Sequence, residues 1–391
     1  MRELGTLLTK VESFAPTLQE FTYVDLGSVE AATKRIVNPR VISIADAPSR
    51  ARQRLKAGDV LVSTVRPNLN GVACVPEELD GAIGSTGFAV LRADPELLDF
   101  RYLFYWVTSP KFIESMVRVA TGASYPAVSD ATVKASKIPL PSLPEQRRIA
   151  SILDQAAKSI RARELAIHEL DRWLELEFQD LFGDVVANEK GWDVGSVTDY
   201  VTSFGSGKSV VGSESSLRGN EPRVLKISAV TSGRFDPGAS KPLPNGYTPP
   251  AAHFVCQSDL LMSRANTAEL VGAVALVREP PHGLVLPDKL WRFNLVNPSL
   301  ANSMFLWKLF GRPEVRRELS GRATGSGGSM KNLAMGSVLS MPIVRPPEEM
   351  IANFADLVVA SEALRLRQST NLDLLNELFG SLQSRAFAGQ L

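Results

Sequence analysis

Apolar positions recur with a helical period over two long stretches of the chain. The first stretch has one apolar residue every seven positions, at Leu153, Ile160, Ile167, Leu174 and Leu181. The second stretch keeps the same period with one polar interruption, Asn371, and its apolar members are Leu357, Leu364 and Leu378. A period of seven is the spacing of a coiled-coil seam. The pattern therefore predicts two long helices, each with a narrow apolar seam.

The ends of both stretches carry helix boundary signals. The first helical pattern begins at Pro144, a residue type favoured in the first turn, and Gly183 ends it. A helix of nearly 40 residues extends roughly 55 Å. The second pattern runs from about Pro347 to Leu382. We expect the two seams to bury each other in an antiparallel pair; the alternative is that each helix packs separately against its own domain.

The chain also resembles itself at an offset of about 200 residues. The segment "AGDVLVSTVRPN" (57–68) matches "QSDLLMSRANTA" (257–268), and "VATGASYPAVSDATVKASKIPLP" (119–141) matches "RATGSGGSMKNLAMGSVLSMPIV" (322–344). The helix entry "PLPSLPEQRRIASILDQA" (139–156) returns as "PIVRPPEEMIANFADLVV" (342–359). A period this long indicates two copies of a domain, each followed by a helix, and not a solenoid of short repeats.

Each copy reads as a mixed sheet with a helix packed on it. Short Val, Ile and Leu runs broken by Gly, Pro and Asn predict strands and turns, and amphipathic stretches at 102–119 and 305–319 predict helices. We therefore predict an α+β fold, built as a tandem duplication of a mixed α/β domain followed by a long helix, with pseudo-twofold symmetry. The predicted boundaries are 1–143 and 184–345 for the domains, 144–183 for the first helix, and 346–391 for the second helix and C-terminal tail.

Composition adds little to this picture. The 391 residues are 44% hydrophobic and 22% charged, with a net charge of +1, which is typical of a globular protein and does not decide whether nucleic acid is bound. No segment approaches the length of a membrane span and no apolar leader begins the chain, so we expect a cytoplasmic protein with no membrane contact. The two cysteines, Cys74 and Cys256, are expected to be buried.

Residues suited to DNA contact cluster on the polar turns that follow predicted strands. Arginine and asparagine there can reach base edges, and glycine-rich loops suit phosphate contact. The first domain offers Arg66, Asn68, Asn70, Ser124 and Tyr125. The second domain offers Lys208, Arg264, Asn266, Ser326, Ser329, Lys331 and Asn332. The alternative for each residue is an ordinary turn role in which the side chain pairs with the local backbone.

Signals for catalysis are weak. "TSFGSGKS" (202–209) ends like a phosphate-binding P-loop, but Thr202 stands where the motif requires its first glycine. His168, His253 and His282 are too scattered to form a metal site with cysteine or carboxylate ligands. We therefore predict no catalytic residue, no metal site and no cofactor in this chain.

Three motifs together resemble the specificity subunits of type I restriction-modification systems: the helix entry "IPLPSLPEQRRIASILDQA", the loop "ATGAS" with its copy "ATGSG", and the end "LFGSLQSRAFAGQL". The resemblance covers nearly the whole chain. The second helix entry departs from the first, with Glu349 where the first has Gln146. Because of this departure, the resemblance does not assign a role to Gln146.

The resemblance implies a function without chemistry of its own. Residues 1–143 and 184–345 would be target-recognition domains, each reading half of a bipartite sequence in double-stranded DNA. Because the two copies differ most in the loops that carry the candidate contacts, we expect two different half-sites and therefore an asymmetric target. The helices would set the spacer and dock two methyltransferase subunits for adenine N6 methylation, with restriction subunits attached through them. S-adenosylmethionine, ATP and Mg²⁺ would then belong to the partner subunits.

Two other functions stay open on the residues alone. One is a non-enzymatic scaffold with two duplicated protein-binding heads. The other is an ATP-dependent enzyme built around "FGSGKS", which the missing glycine disfavours.

Overall fold

The computed structural model describes residues 1–210, 221–244, 246–279, 281–325 and 330–391. These residues form two compact units. The first unit comprises Met1–Leu165 with Ser369–Leu391, and the second comprises Ala166–Gln368. Each unit thus combines one globular head with part of each long helix.

The first head is built from short strands in several small sheets. Its strands are β1 (Arg2–Glu3), β2 (Leu8–Thr9), β3 (Glu20–Val24), β4 (Val29–Glu30), β5 (Arg35–Ile36), β6 (Arg40–Ser43), β7 (Ala51–Arg54), β8 (Val60–Ser63), β9 (Val72–Cys74), β10 (Ile83–Ser85), β11 (Phe88–Ala93) and β12 (Lys137–Ile138). The main sheets have the orders β2-β11-β8-β9 and β6-β3-β10-β7, and β1 pairs with β12. Strands β3 and β10 run parallel, whereas β2, β8 and β9 pair antiparallel to their neighbours.

The helices of this head pack on the sheet β2-β11-β8-β9. They are α1 (Phe100–Val107), α2 (Pro110–Val119), α3 (Asp130–Ala135) and the long α4 (Leu143–Phe182). The α1 helix is capped by Asp99, whose carboxylate accepts hydrogen bonds from the next turn. The fully buried ring of Tyr102 on α1 lies in the core of this unit.

The second head repeats this plan. Its described strands are β13 (Asp193–Ser196), β14 (Val201–Ser206), β15 (Arg223–Leu225), β16 (Ser240–Pro242), β17 (Leu260–Ser263), β18 (Ala265–Asn266), β19 (Val274–Leu276), β20 (Leu284–Val285), β21 (Leu290–Leu295), β22 (Lys331–Asn332) and β23 (Pro342–Arg345). Its helices are α5 (Leu300–Gly311), α6 (Pro313–Arg322), α7 (Met335–Leu339) and α8 (Glu348–Ala388).

The strand orders of the two heads correspond. The order β14-β21-β17-β19 in the second head matches β2-β11-β8-β9 in the first, and β13 pairs with β23 as β1 pairs with β12. The parallel pair of β15 and β20 matches the parallel pair of β3 and β10. The predicted α+β tandem duplication is confirmed by these topologies.

In each unit, a part of α4 lies against a part of α8. In the second unit the ring of Phe354 is 5.3 Å from that of Phe178, and Arg365 is 3.4 Å from Asp171. Residue numbers rise along one helix as they fall along the other, so these parts run antiparallel. In the first unit, Ile149 and Leu153 of α4 belong to the same buried cluster as Ala386 and Phe387 of α8.

The start of α4 is tied to the first head by Gln146, which is only 1% exposed. Its Oε1 accepts the backbone N–H of Asp99 at 2.9 Å. Its Nε2 donates to the carbonyl oxygens of Leu97 and Pro141 at 3.1 and 3.0 Å. One side chain thereby connects the α1 cap, the preceding loop and the helix entry.

The structural partner of Gln146 in the second copy is Ile351 and not Glu349. Gln146 lies three residues after Leu143, the first residue of α4, and Ile351 lies three residues after Glu348, the first residue of α8. Ile351 is buried in the core of the second unit, whereas Glu349 is exposed. The second copy thus replaces a hydrogen-bonded glutamine with an apolar side chain.

Among the residues that the structure describes, none of the helices is long and apolar enough to cross a membrane.

Candidate nucleic-acid interface

Two loops of the first head converge and present Arg66 beside Tyr125. The turn after β8 and the loop before α3 are joined by a bridge between Val65 and Ala127, and the N–H of Arg66 donates to the carbonyl oxygen of Pro126 at 2.7 Å. The guanidinium carbon of Arg66 lies 4.6 Å from the centre of the Tyr125 ring. Both side chains are exposed, Tyr125 by 68%. The pair offers a cation and an aromatic face to a ligand in solvent.

Backbone geometry fixes the direction of Arg66. Its φ of 50° places it in the left-handed region, which is uncommon for a residue with a side chain. Asn70, at the other end of the same turn, also has a φ of 50°. The hydrogen bond from Arg66 to the neighbouring loop helps to hold this conformation, and the side chain projects outward.

The other predicted residues of the first head divide into exposed and engaged groups. Asn68 and Ser124 are exposed, as expected for contact residues. Asn70 instead faces the protein, where its Nδ2 donates to the carbonyl oxygen of Thr108 at 3.1 Å. Lys34 donates to the backbone oxygen of Asn70 at 2.6 Å, and burial lowers the pKa of that lysine to about 8. Asn70 and Lys34 therefore stabilise the turn through hydrogen bonds on its protein-facing side.

The second head contains the same pair of loops. Leu333 donates its N–H to the carbonyl oxygen of Arg264, as Val128 does to Thr64 in the first head. The N–H of Arg264 in turn donates to Lys289, as that of Thr64 does to Gly87. By this backbone pattern Arg264 corresponds to Thr64, and Asn266 corresponds to Arg66. Arg264 therefore does not occupy the place of Arg66.

The side chain of Arg264 is held by its own head. Its Nε donates to the carbonyl oxygen of Asp288 at 2.9 Å, and its guanidinium lies 6.0 Å from the centre of the Trp291 ring. Asn266 donates to the Ser263 hydroxyl at 3.3 Å and accepts the N–H of Thr267 at 2.9 Å. Both residues are half-buried.

The remaining predicted contacts of the second head lie near this turn or outside the described residues. Asn266 pairs with Lys331 between β18 and β22, and Asn332 exchanges backbone hydrogen bonds with Thr324. Lys331 and Asn332 are half-buried. Ser326 and Ser329 lie outside the described residues.

The segment that resembles a P-loop is a strand. Residues Val201–Ser206 form β14, which pairs antiparallel with β21, and Gly207 continues with a hydrogen bond to Pro287. A Cβ atom on Gly207 would lie 1.7 Å from the carbonyl oxygen of Leu286, so glycine is required there by close packing. An extended strand cannot wrap a triphosphate as a P-loop does. Lys208 follows the strand and is exposed.

The predicted seam positions of α4 face inward. Leu153 and Leu174 are fully buried, and Ile160, Ile167 and Leu181 are half-buried. On α8 only Leu357 among the predicted positions is half-buried, whereas Leu364 and Leu378 are 45% and 50% exposed. The buried face of α8 instead carries Ile351, Phe354, Ala355, Val358, Ser361, Gln383, Ala386 and Phe387.

The end of α8 packs on the first head, in a contact that sequence reasoning missed. The Phe387 ring lies 5.2 Å from that of Tyr102 and 5.1 Å from that of Trp106. Gln383 donates to the carbonyl oxygen of Tyr105 at 2.9 Å. The motif "SLQSRAF" was noted in the sequence, but its buried partners lie more than 250 residues earlier in the chain.

The cysteines differ in environment. Cys74 is half-buried, and burial raises the pKa of its thiol to about 12. Cys256 is exposed, so the expectation that it would be buried is wrong. Among the described residues no cluster of His, Cys, Asp and Glu side chains is arranged to hold a metal ion.

Comparisons with known proteins point to one family. Residues 51–170 match the model of the type I restriction modification DNA specificity domain. The chain is 24% identical over 321 residues to the EcoKI specificity subunit of Escherichia coli K12, covering 77% of this chain and 68% of that one. Over these ranges the chain is similar to the specificity subunits of type I restriction-modification systems.

Three further matches are to proteins of the same kind. The specificity subunit of HindI from Haemophilus influenzae is 21% identical over 164 residues, 41% of this chain and 35% of that protein. A chain from a study of assembly and conformational transition of a type I system is similar over 100% of this chain and 97% of its own, with 23% identity and a TM-score of 0.60. The S subunit from M. genitalium covers 99% of this chain with 13% identity and a TM-score of 0.55. At these identities the structural matches support the fold alone.

Proposed function

We propose that this chain is the non-catalytic DNA-recognition subunit of a type I restriction-modification complex, and that each head reads one half of a bipartite target in double-stranded DNA. The observation that carries the proposal is the exposed Arg66 and Tyr125 pair on two converging loops. Both loops lie inside residues 51–170, the range that matches the family's DNA specificity domain. Arginine can donate two parallel hydrogen bonds to guanine, and tyrosine can pack against a base or sugar.

The target is asymmetric in this proposal. The position that carries Arg66 in the first head carries Asn266 in the second, and arginine and asparagine prefer guanine and adenine respectively. Heads that share a backbone frame but differ in these side chains are suited to two different half-sites.

The long helices supply the spacer and the docking surface for two methyltransferase subunits, through which restriction subunits attach. The second unit leaves apolar side chains exposed on both helices: Trp173 (37%) and Leu176 (58%) on α4, and Val359 (49%) on α8. Exposed apolar groups on paired helices favour protein contact over simple solvation. Adenine N6 methylation, S-adenosylmethionine, ATP and Mg²⁺ belong to the partner subunits, and the complex works in the cytoplasm.

A map of adenine methylation in host DNA, with and without this gene, tests the proposal. We expect a split adenine-methylated motif to disappear when the gene is deleted and to return when it is restored. Deletion in cells that demonstrably express the methyltransferase subunits, with the motif unchanged, would refute DNA recognition by this chain. Co-purification of other proteins with the heads, without any DNA binding, would favour the scaffold alternative.

A further inference from the structure

The second unit contains a cavity of about 690 Å³ whose walls are rich in arginine. Arg223 comes from the start of β15, Arg234 from the segment before β16, Arg278 from the segment after β19, and Arg365 from α8. Trp307 on α5 closes one side. A volume of this size is typical of pockets that hold small ligands, about 300–1,000 Å³.

The carboxylates near this cavity do not balance its arginines. Arg234 pairs with Asp171 and, at 3.2 Å, with Glu362. Arg365 lies 3.4 Å from the same aspartate, and Arg278 lies 3.8 Å from the same glutamate. Two carboxylates thus serve three guanidinium groups.

The fourth arginine and a further acid complete the charged lining. Arg223 donates to the hydroxyl and the carbonyl oxygen of Ser240, both uncharged groups. Glu279 also lines the cavity. Four arginines therefore face three carboxylates, which leaves an excess of positive charge.

Two donors of this cluster, Nη2 of Arg278 and Nε of Arg365, are buried without a hydrogen-bond partner in the described part of the chain. Nη2 of Arg278 is shielded from solvent and makes no hydrogen bond to any described residue. A buried donor left unpaired is costly, and more so when it is charged. Burial also lowers the pKa of this guanidinium, in the direction expected for a cation that lacks a full counter-charge.

The shared fold does not require an arginine at this position. Strand pairing places Leu276 opposite Leu260 in the second head and Cys74 opposite Val60 in the first. Two residues further along, Arg278 therefore corresponds to Pro76. The first head forms the same sheet with proline there, so the sheet itself does not require arginine at this position.

We propose that this cavity binds a small phosphate-bearing anion. The planar guanidinium forms paired hydrogen bonds with phosphate oxygens, and arginines from four separate elements can surround such a group. The indole of Trp307 is 6% exposed, and Arg278 and Lys308 lie 4.7 and 4.5 Å from its ring centre. Since this ring is already covered, the site recognises phosphate oxygens and not a stacked base.

Calorimetric titration of the full chain with pyrophosphate, at constant ionic strength set with sodium chloride, tests the site. We expect saturable binding by the parent protein and about tenfold to hundredfold weaker binding by Arg278→Gln, since that change removes charge-assisted hydrogen bonds. Arg317→Gln, which changes an exposed arginine of the same unit, is the matched control and should bind as the parent does. No saturable binding by the parent, or equal binding by Arg278→Gln, would overturn the proposal.

The variant itself is expected to fold. Glutamine keeps polar hydrogen-bonding groups and removes an incompletely paired buried charge, so Arg278→Gln should unfold no earlier than the parent without pyrophosphate. If it does unfold earlier, Arg223→Gln provides the same test, because Arg223 has no charged partner among the described residues to lose.

Duplex DNA is the other source of phosphate, and a competition experiment separates the two. DNA binding is measured with and without saturating pyrophosphate at the same ionic strength. Unchanged DNA affinity supports a small-molecule site. Weakening in the parent, but not in Arg278→Gln, assigns the same phosphate site to the DNA backbone and overturns the small-molecule occupant.

Discussion

The buried glutamine at the start of α4 gives a prediction whose size and pH dependence follow from its contacts. In Gln146→Glu the side chain keeps its shape and can still accept the N–H of Asp99. It loses the amide donor that serves the carbonyl oxygens of Leu97 and Pro141. A protonated acid can serve one of those two acceptors, and an ionised acid can serve neither.

The magnitude depends on protonation. Each buried acceptor left unpaired costs about 1–3 kcal/mol, so the protonated form loses about 1–3 kcal/mol and the ionised form about twice that. Burial beside two carbonyl oxygens disfavours the ionised form and raises the folded-state pKa of the new glutamate above its unfolded value of about 4.3. A group with a raised folded pKa binds more protons in the folded state, so stability falls as pH rises from about 4.3 to the folded pKa. The loss is about 1.4 kcal/mol for each unit of pKa difference.

Hydrogen exchange measured by mass spectrometry checks this locally, in peptides that cover residues 97–106 and 138–150. Exchange in the variant is compared with that in the parent at pH 5 and at pH 8, so that intrinsic rates cancel. We expect faster exchange at both values and a larger ratio at pH 8. Glu349→Gln, at the exposed position that the sequence pairs with Gln146, is the control and should leave exchange unchanged. A ratio that does not grow with pH would refute the burial argument.

Two further predictions concern the C-terminal contact and the cysteines. Phe387→Ala removes a ring that is 6% exposed and packs on two aromatic rings of the first head. Urea denaturation should therefore show that the free energy of unfolding of that unit falls by about 3–5 kcal/mol. The exposed control, Leu378→Ala, should lower it much less. A thiol reagent at pH 8 should modify Cys256 quickly and Cys74 slowly, because the pKa of Cys74 is raised to about 12 and only exposed thiolates react readily. Loss of the fast phase in Cys256→Ser would support this assignment, and two equally fast thiols would contradict it.

The repeat and the long helices could be predicted because their signals are periodic. The first helix was expected at 144–183 and spans Leu143–Phe182, since a proline entry and a glycine end mark it in the sequence. The α+β class followed from short strands alternating with amphipathic stretches in each copy. Signals of this kind depend on neighbouring residues and need no knowledge of distant contacts.

The register of α8 was harder to predict, because part of that helix packs on a head and not on another helix. Phe354 lies against Phe178 and Phe182 of α4, whereas Phe387 lies against Tyr102 of the first head. These contacts select faces that depart from a strict period of seven, so Leu364 and Leu378 point outward. A heptad pattern alone carries no information about the surface of a folded head.

The arginine cluster of the second unit was not visible in the sequence for a similar reason. Asp171, Arg234 and Glu362 come together from positions more than 60 residues apart. Isolated charged residues read as solvated surface until the fold brings them together.

The two heads can be matched by residue type, which pairs Arg264 with Arg66, or by backbone hydrogen bonds, which pair Asn266 with Arg66. A substitution at position 266 tests which match identifies the DNA-contacting side chain. If position 266 reads a base in the second half-site, Asn266→Arg should shift the preferred base at one position of that half from adenine towards guanine, a discrimination of about 1–3 kcal/mol. The first half of the motif should stay unchanged. The methylation map of cells carrying the variant measures both halves together. Arg264→Lys is the control, because Arg264 is anchored to Asp288 and corresponds to Thr64. A motif altered by Arg264→Lys but not by Asn266→Arg would show that the backbone correspondence does not decide which side chain meets DNA.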